Sequence, residues 1–208
     1  MLDLDASQRA DQYVKFIEEI KERFEVIALF EQSGSVDVHV LPEPFALETC
    51  YLQIRLICEL IALACLVGHG PGLGHDVDPL TKIYKPHEIM RGLAALKADF
   101  FPKQLRWTVQ NKDDGTADMT FELTEVLTAE DVIALHGKMG NILHRGRLSR
   151  ILEAKEHPRS FQDIRAICER LMRLLGRHTF MVAPDKLIWV EMFTQPENRV
   201  TWFEAAFA

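Results

Sequence analysis

Hydrophobic positions recur every three or four residues through the first part of the chain, a spacing typical of amphipathic helices. The pattern predicts a first helix over Ser7–Phe30 and a second over Phe45–Val67. A third is predicted over Pro86–Leu96, where proline suits the first helical position. The second stretch is apolar on nearly every side, which places it at the centre of a helical bundle.

Around residues 105–123 the hydrophobic period shortens to two, which is typical of strands. Residues 105–109 and 119–123 alternate in character, and Asp114-Gly115 between them is a common turn pair. A β-hairpin is therefore predicted here. Residues 36–40 also alternate and are predicted as a short strand.

Two further helices and three strands are predicted after the hairpin. One helix begins at Thr128 and runs toward His144, and another begins at Ser160 and ends near Gly176. The final part of the chain alternates in three strand-like runs joined by turn residues. These runs are 179–182, 187–194 and 200–207.

The order of these elements sets the fold class. Strands and helices do not alternate regularly, so a parallel sheet is not expected. We predict an α+β fold, with a bundle of about five helices, a β-hairpin and a C-terminal antiparallel meander. The chain is expected to form a single domain over 1–208, with a helical half at 1–100 and the hairpin, two helices and strands at 101–208.

Composition narrows the class of protein. Hydrophobic residues make up 48% and charged residues 26% of 208, as in soluble globular proteins, which excludes a disordered or collagen-like chain. The net charge of -7 argues against a wholly basic nucleic-acid binder. Residues 138–178 nevertheless hold ten basic and four acidic side chains. That stretch fits either a phosphate-backbone site or a solvated face that balances the acidic first helix.

The cysteines and the apolar run bear on the environment of the protein. Cys58 and Cys65 are two helical turns apart, roughly 10 Å, which is too far for a disulfide. We expect reduced, buried thiols and a cytoplasmic protein without a signal peptide. Arg55 and Glu59 interrupt the apolar run at 50–67, so a core helix is expected rather than a membrane span.

A glycine-rich segment holds the side-chain types of a metal site. His69, His75, Asp76 and Asp78 lie close together in the sequence, but their spacing matches no established zinc pattern. The alternative is a loop whose first histidine favours the C-terminus of the second helix electrostatically. No cofactor and no metal are predicted.

Arg55 and Glu59 are four residues apart and share a helix face. On so apolar a helix they form either a structural ion pair or an anion-binding group in a cleft between helices. Both interpretations remain open from the sequence.

His144 is the candidate for acid–base chemistry, because imidazole titrates near neutrality. Arg145 or Lys138 would stabilise a phosphate, and Asn141 would position His144 or the substrate. Arg147 and Arg150 would add contacts to a phosphate backbone. The alternative is a histidine that caps the end of the fourth helix.

Two segments carry a family resemblance. They are YLQIRLICE at 51–59 with IALA at 61–64, and GNILH at 140–144, which resemble helices of bacterial proteins distantly related to HEPN-type helical domains, over about half of the chain. The resemblance implies a small, often dimeric helical bundle. Many such proteins are ribonucleases of toxin or phage-defence systems that carry Arg, four to six residues, then His. Here Lys138 rather than an arginine precedes His144 at that distance, whereas Arg173 precedes His178 and Arg150 precedes His157.

Two functions follow as hypotheses. The first is a cytoplasmic interaction or regulatory module of HEPN-like type that forms a homodimer and does not bind a membrane. Aromatic C-terminal strands and the apolar second helix favour it, since one chain leaves such surface to cover. The alternative is a metal-independent ribonuclease or an RNA-binding protein.

Overall fold

A computed structural model of the chain describes residues 5–32, 42–69, 79–111, 117–143, 159–183 and 186–206. Within these residues five α-helices accompany a five-stranded antiparallel sheet, which confirms the α+β prediction. The helices are α1 (Ala6–Gln32), α2 (Glu43–His69), α3 (Pro86–Leu96), α4 (Ala129–Leu143) and α5 (Phe161–Leu175). The strands are β1 (Lys103–Asn111), β2 (Ala117–Thr124), β3 (Arg177–Ala183), β4 (Lys186–Thr194) and β5 (Arg199–Ala206).

Several sequence predictions fall outside the described residues. They are the strand at 36–40, the glycine-rich loop at 70–78, the hairpin turn at 112–116, and the basic stretch at 144–158.

Helix α2 lies at the centre of the helical layer, as predicted, and contacts α1, α3, α4 and α5. Among the described residues it is the one helix whose length and hydropathy would suffice to cross a membrane, yet 56% of that stretch is buried inside the protein. It continues to His69, so the predicted end of this helix at Val67 is wrong by two residues. At Gly68 the absence of a side chain lets the Phe180 ring pack against the helix, since a Cβ there would lie 3.0 Å from that ring.

The helix starts follow the predicted capping chemistry. The Ser160 hydroxyl accepts a hydrogen bond from the Asp163 amide at 3.1 Å at the start of α5. At the start of α4, the Asp131 amide donates to the Thr128 hydroxyl at 3.0 Å, and Asp131 accepts from the Thr128 amide at 2.9 Å. These bonds satisfy amides that lack a partner within the helix.

The sheet joins the hairpin to the meander in the order β2-β1-β3-β4-β5. The predicted hairpin and the predicted three-stranded meander are both confirmed. Their union in one sheet was not predicted. It rests on the antiparallel contact of β1 with β3, where Lys103 pairs with Thr179 and Gln104 with His178.

The two faces of the sheet differ in what covers them. Phe180, Ile188, Val190 and Val200 are buried and join the same hydrophobic cluster as the helices, and α1 contacts β4 and β5. The alternate residues point away from the helices, because side chains alternate across a strand. We call the side away from the helices the outer sheet face.

All four cysteines are free and buried, as predicted. Burial raises the pKa of the Cys58 and Cys65 thiols to about 12. At neutral pH these thiols are therefore protonated and act as small apolar groups in the core.

Candidate functional site

The predicted catalytic residues divide between described and undescribed parts of the chain. His144, Arg145, Arg147 and Arg150 lie outside the described residues. Lys138 and Asn141 are exposed and three residues apart on α4. Helical geometry places both on the side of α4 that faces away from α2.

Arg55 and Glu59 belong to α2 and extend into the groove between α2 and α4. This groove lies on the side of α4 opposite to Lys138 and Asn141. Nε of Arg55 donates to Oε1 of Glu59 at 3.4 Å. The same oxygen accepts from Nε2 of His136, on α4, at 3.0 Å. We call these three residues the α2–α4 cluster. The structure therefore does not bring Asn141 and Arg55 onto one surface.

His136 is the member of this cluster that sequence reasoning missed. It sits on the inward stripe of α4 with the buried residues Val132 and Met139. The available signal was a histidine on an otherwise apolar helical stripe, where an imidazole needs a hydrogen-bond partner. Its partner lies 77 residues earlier in the chain, so the sequence alone did not identify it.

Gly140 explains how Arg55 fits into the groove. A Cβ at position 140 would overlap Nη1 of Arg55 and lie 3.6 Å from Cζ. Glycine inside a helix costs about 1 kcal/mol relative to alanine. This loss of helix stability is accepted at position 140, where the missing side chain leaves room for the Arg55 guanidinium against the backbone of α4.

His69 corrects the prediction for the end of α2. Its Nε2 donates to the carbonyl of Phe100 at 2.7 Å, and its side chain is buried. Burial lowers the pKa of His69 to about 4, so the imidazole is neutral at pH 7. A neutral ring does not stabilise the helix terminus as a cation would, so that interpretation is wrong.

The predicted absence of a metal is not tested at the glycine-rich loop. His75, Asp76 and Asp78 lie outside the described residues. In the part of the chain that the structure describes, no group of three His, Cys, Asp or Glu side chains is placed to hold a metal ion.

The described basic residues of the stretch at 138–178 are partly committed to acidic partners. Arg159 bonds Glu48 at 2.5 Å and the carbonyl of Ile142 at 2.7 Å, which ties the start of α5 to α2 and α4. Arg177 bonds Glu191 at 2.9 Å. These contacts favour a structural role over a phosphate site for these two arginines.

The outer sheet face carries a row of aromatic rings from four strands. Trp189 on β4 lies at its centre, with ring centroids 5.1 Å from Trp107, 6.1 Å from Phe121 and 5.7 Å from Phe203. Trp107 is directly opposite Phe121, and Trp189 is directly opposite Phe203. We call these four residues the aromatic row.

Apolar side chains of the hairpin extend this row. Val109 is 50% exposed, Leu123 47%, Phe121 52% and Phe203 51%. The alternate hairpin residues Arg106, Thr108, Thr120 and Glu122 are polar and exposed on the other side. The hairpin thus places its apolar side on the outer sheet face and not toward the helices.

Arg177 and Glu191 form an ion pair on the outer sheet face, and exposed Lys103 lies on the same face. The guanidinium carbon of Arg177 lies 3.2 Å from the centroid of the Trp107 ring, and its Nε donates to Glu191. The aromatic row therefore lies next to an ion pair whose two charges cancel. Nε1 of Trp189 is buried and has no hydrogen-bond partner among the described residues.

The comparisons with known proteins leave the family open. The chain has no significant match among protein-family models, curated proteins or solved structures.

Proposed function

We propose that the protein is an interaction module that forms a homodimer through the outer sheet face. The observation that carries the proposal is the aromatic row, whose two outermost phenylalanines, Phe121 and Phe203, are each about half exposed. Contiguous exposed apolar surface on a soluble protein marks an interaction site, because exposing it to water is unfavourable.

The charge of the surface supports a second copy as the occupant. The chain carries a net charge of -7, so two copies repel each other over most of their surface. On the outer sheet face Arg177 already offsets Glu191. The centre of the outer sheet face is aromatic and its Arg177–Glu191 pair is neutral, which suits contact with a second copy about a two-fold axis; exposed Lys103 adds one further charge on this face.

The size of the surface agrees with this occupant. Five strands have four spacings of about 4.8 Å between them, and strands of about eight residues are long by about 3.3 Å per residue. The sheet plane therefore covers roughly 500 Å², and the projecting side chains add to its accessible surface. A standard interface buries about 800 Å² of accessible surface on each partner. Sheets pack face to face in this way in sandwich proteins.

The test is light scattering of the full chain at micromolar concentration. The wild type is expected to have the mass of two chains, and a Phe121→Glu/Phe203→Glu variant the mass of one. Both positions are half exposed, so the folded monomer should tolerate the charges. Tyr84→Glu is the matched control, since Tyr84 is 84% exposed and lies before α3.

A monomeric wild type, or a double variant that still dimerises, would overturn the proposal. Exposed aromatics also stack on single-stranded nucleic acid. A monomer whose RNA binding is lost in the same double variant would assign the outer sheet face to RNA instead.

A second candidate function is a metal-independent ribonuclease or RNA-binding protein. The observation that favours it is the shared, exposed side of α4 on which Lys138 and Asn141 lie. Catalysis by His144 would require a cation that stabilises the phosphate and an amide that orients the reacting groups, both on an accessible surface. The resemblance to HEPN-type domains supports both candidates, since those domains are often dimeric and many cleave RNA.

A further inference from the structure

Arg55 offers donors that the protein does not use. Its Nε donates to Glu59, whereas no acceptor among the described residues pairs with Nη1 or Nη2. A guanidinium has five N–H donors in a planar fork, so four remain. The side chain is 30% exposed, which leaves it accessible from the groove between α2 and α4.

Two features hold this guanidinium in place. Glu59 binds it from α2, and Gly140 leaves the space on α4 that any larger residue would take. A donor held before its ligand arrives loses less freedom when it binds. The arrangement therefore favours binding more than a flexible surface arginine would.

His136 adds a second nitrogen group beside the guanidinium. A carboxylate only accepts hydrogen bonds, so Nε2 of His136 carries the proton in its contact with Glu59. Nδ1 of that ring makes no hydrogen bond with the described residues. Glu59 thus orients both the guanidinium and the imidazole through a single oxygen atom.

We propose that the α2–α4 cluster binds a phosphoryl group, either free phosphate or the phosphate of an ester. Two parallel N–H groups of Arg55 match two oxygens of a tetrahedral oxyanion, the bidentate geometry in which arginine excels. Glu59 would act as the group that orients the guanidinium.

The test is calorimetric titration of the full chain with inorganic phosphate, repeated with a short single-stranded oligoribonucleotide. The wild type should bind phosphate in the millimolar range. Arg55→Gln should weaken binding by roughly tenfold or more, because it removes the bidentate donor. If only the oligonucleotide is affected, the phosphate that binds belongs to an ester.

Two glycines on α4 provide a matched pair. Gly140→Ala keeps Arg55 but displaces its guanidinium, so phosphate affinity should fall as it does in Arg55→Gln. Gly137→Ala introduces the same methyl group one turn earlier, where a Cβ meets nothing within 4 Å, and should leave the affinity unchanged. Melting temperatures identify any variant that fails to fold.

Glu59→Gln separates this site from a purely structural ion pair. The amide oxygen of glutamine still accepts from Arg55 and His136 and keeps both oriented, while loss of the negative charge removes a repulsion. Phosphate should therefore bind more tightly, although the protein loses stability. Absence of phosphate and oligonucleotide binding by the wild type would overturn the proposal. Equal affinities in wild type, Arg55→Gln and Gly140→Ala would overturn it as well.

Discussion

The hydroxyl of Tyr13 and Nε2 of His178 lie 2.8 Å apart in the buried core, where they connect α1 to β3. Nδ1 of His178 lies 2.8 Å from the carbonyl of Leu175. A carbonyl only accepts, so Nδ1 carries the ring proton and Nε2 accepts from Tyr13. Burial lowers the pKa of His178 to about 4, which keeps the ring neutral.

Stability should therefore fall as the solution becomes acidic. His178 and His69 both have pKa values of about 4 in the folded protein, against an ordinary value of 6.5. The unfolded chain binds more protons between these two values, so their contribution is complete above about pH 6.5 and is lost toward pH 4. Each histidine should account for about 3 kcal/mol of that loss.

Urea unfolding between pH 7.5 and 4.5 measures this dependence. His178→Gln and His69→Gln should each flatten the pH dependence, although each also lowers stability at neutral pH. His87→Gln is the control, because the side chain of His87 is 40% exposed and lies outside the core. A free energy of unfolding that is constant across this range would contradict the prediction.

Tyr13→Phe should destabilise the protein by about 1–3 kcal/mol, because Nε2 of His178 becomes a buried acceptor without a donor. The ring itself keeps its stacking on Phe180, at 4.3 Å between centroids. Chemical denaturation of the variant provides the measurement. Tyr84→Phe, at an exposed position, should change stability by less than about 0.5 kcal/mol.

Ser160→Ala should cost about 0.5–2 kcal/mol, since it removes the side-chain acceptor at the start of α5. Ser160→Asp supplies another acceptor there and should retain most of the stability. Thermal unfolding of both variants tests the cap. Equal melting temperatures for wild type and Ser160→Ala would show that the hydroxyl does not stabilise the helix.

His144→Ala tests the ribonuclease candidate. If His144 transfers a proton during cleavage, the variant should lose about two to four orders of magnitude in rate. RNA cleavage in EDTA by wild type and variant, beside their melting temperatures, is the measurement. Equal cleavage by both proteins, or none by either, would remove His144 from a catalytic role.

Local chemistry made much of the fold predictable. Pro86 and Ser160 mark helix starts that the structure retains, and α3 has the bounds that the sequence predicted. Hydrophobic alternation located both the hairpin and the meander. These features depend on neighbours a few residues apart, which a single sequence displays.

Contacts between distant parts of the chain were not predictable in this way. The pairing of Lys103 with Thr179 and the bond of His136 to Glu59 depend on tertiary packing. The close approach of the Phe180 ring to Gly68 is another such contact, between residues far apart in the chain. The candidate site therefore forms only where α2 and α4 pack against each other.

The short ladder between β1 and β3 has a consequence for motion. Only two residue pairs join these strands within the described chain, whereas β1 and β2 pair along eight. We expect the hairpin to open as a separate cooperative unit, so its amide protons should exchange with solvent before those of the meander. Two members of the aromatic row, Trp107 and Phe121, belong to the hairpin, and the other two belong to the meander. Each opening would therefore separate the row into two pairs. A partner bound to both pairs of rings would hold the hairpin against the meander. It would slow hydrogen exchange throughout the hairpin although it contacts few of the hairpin amides.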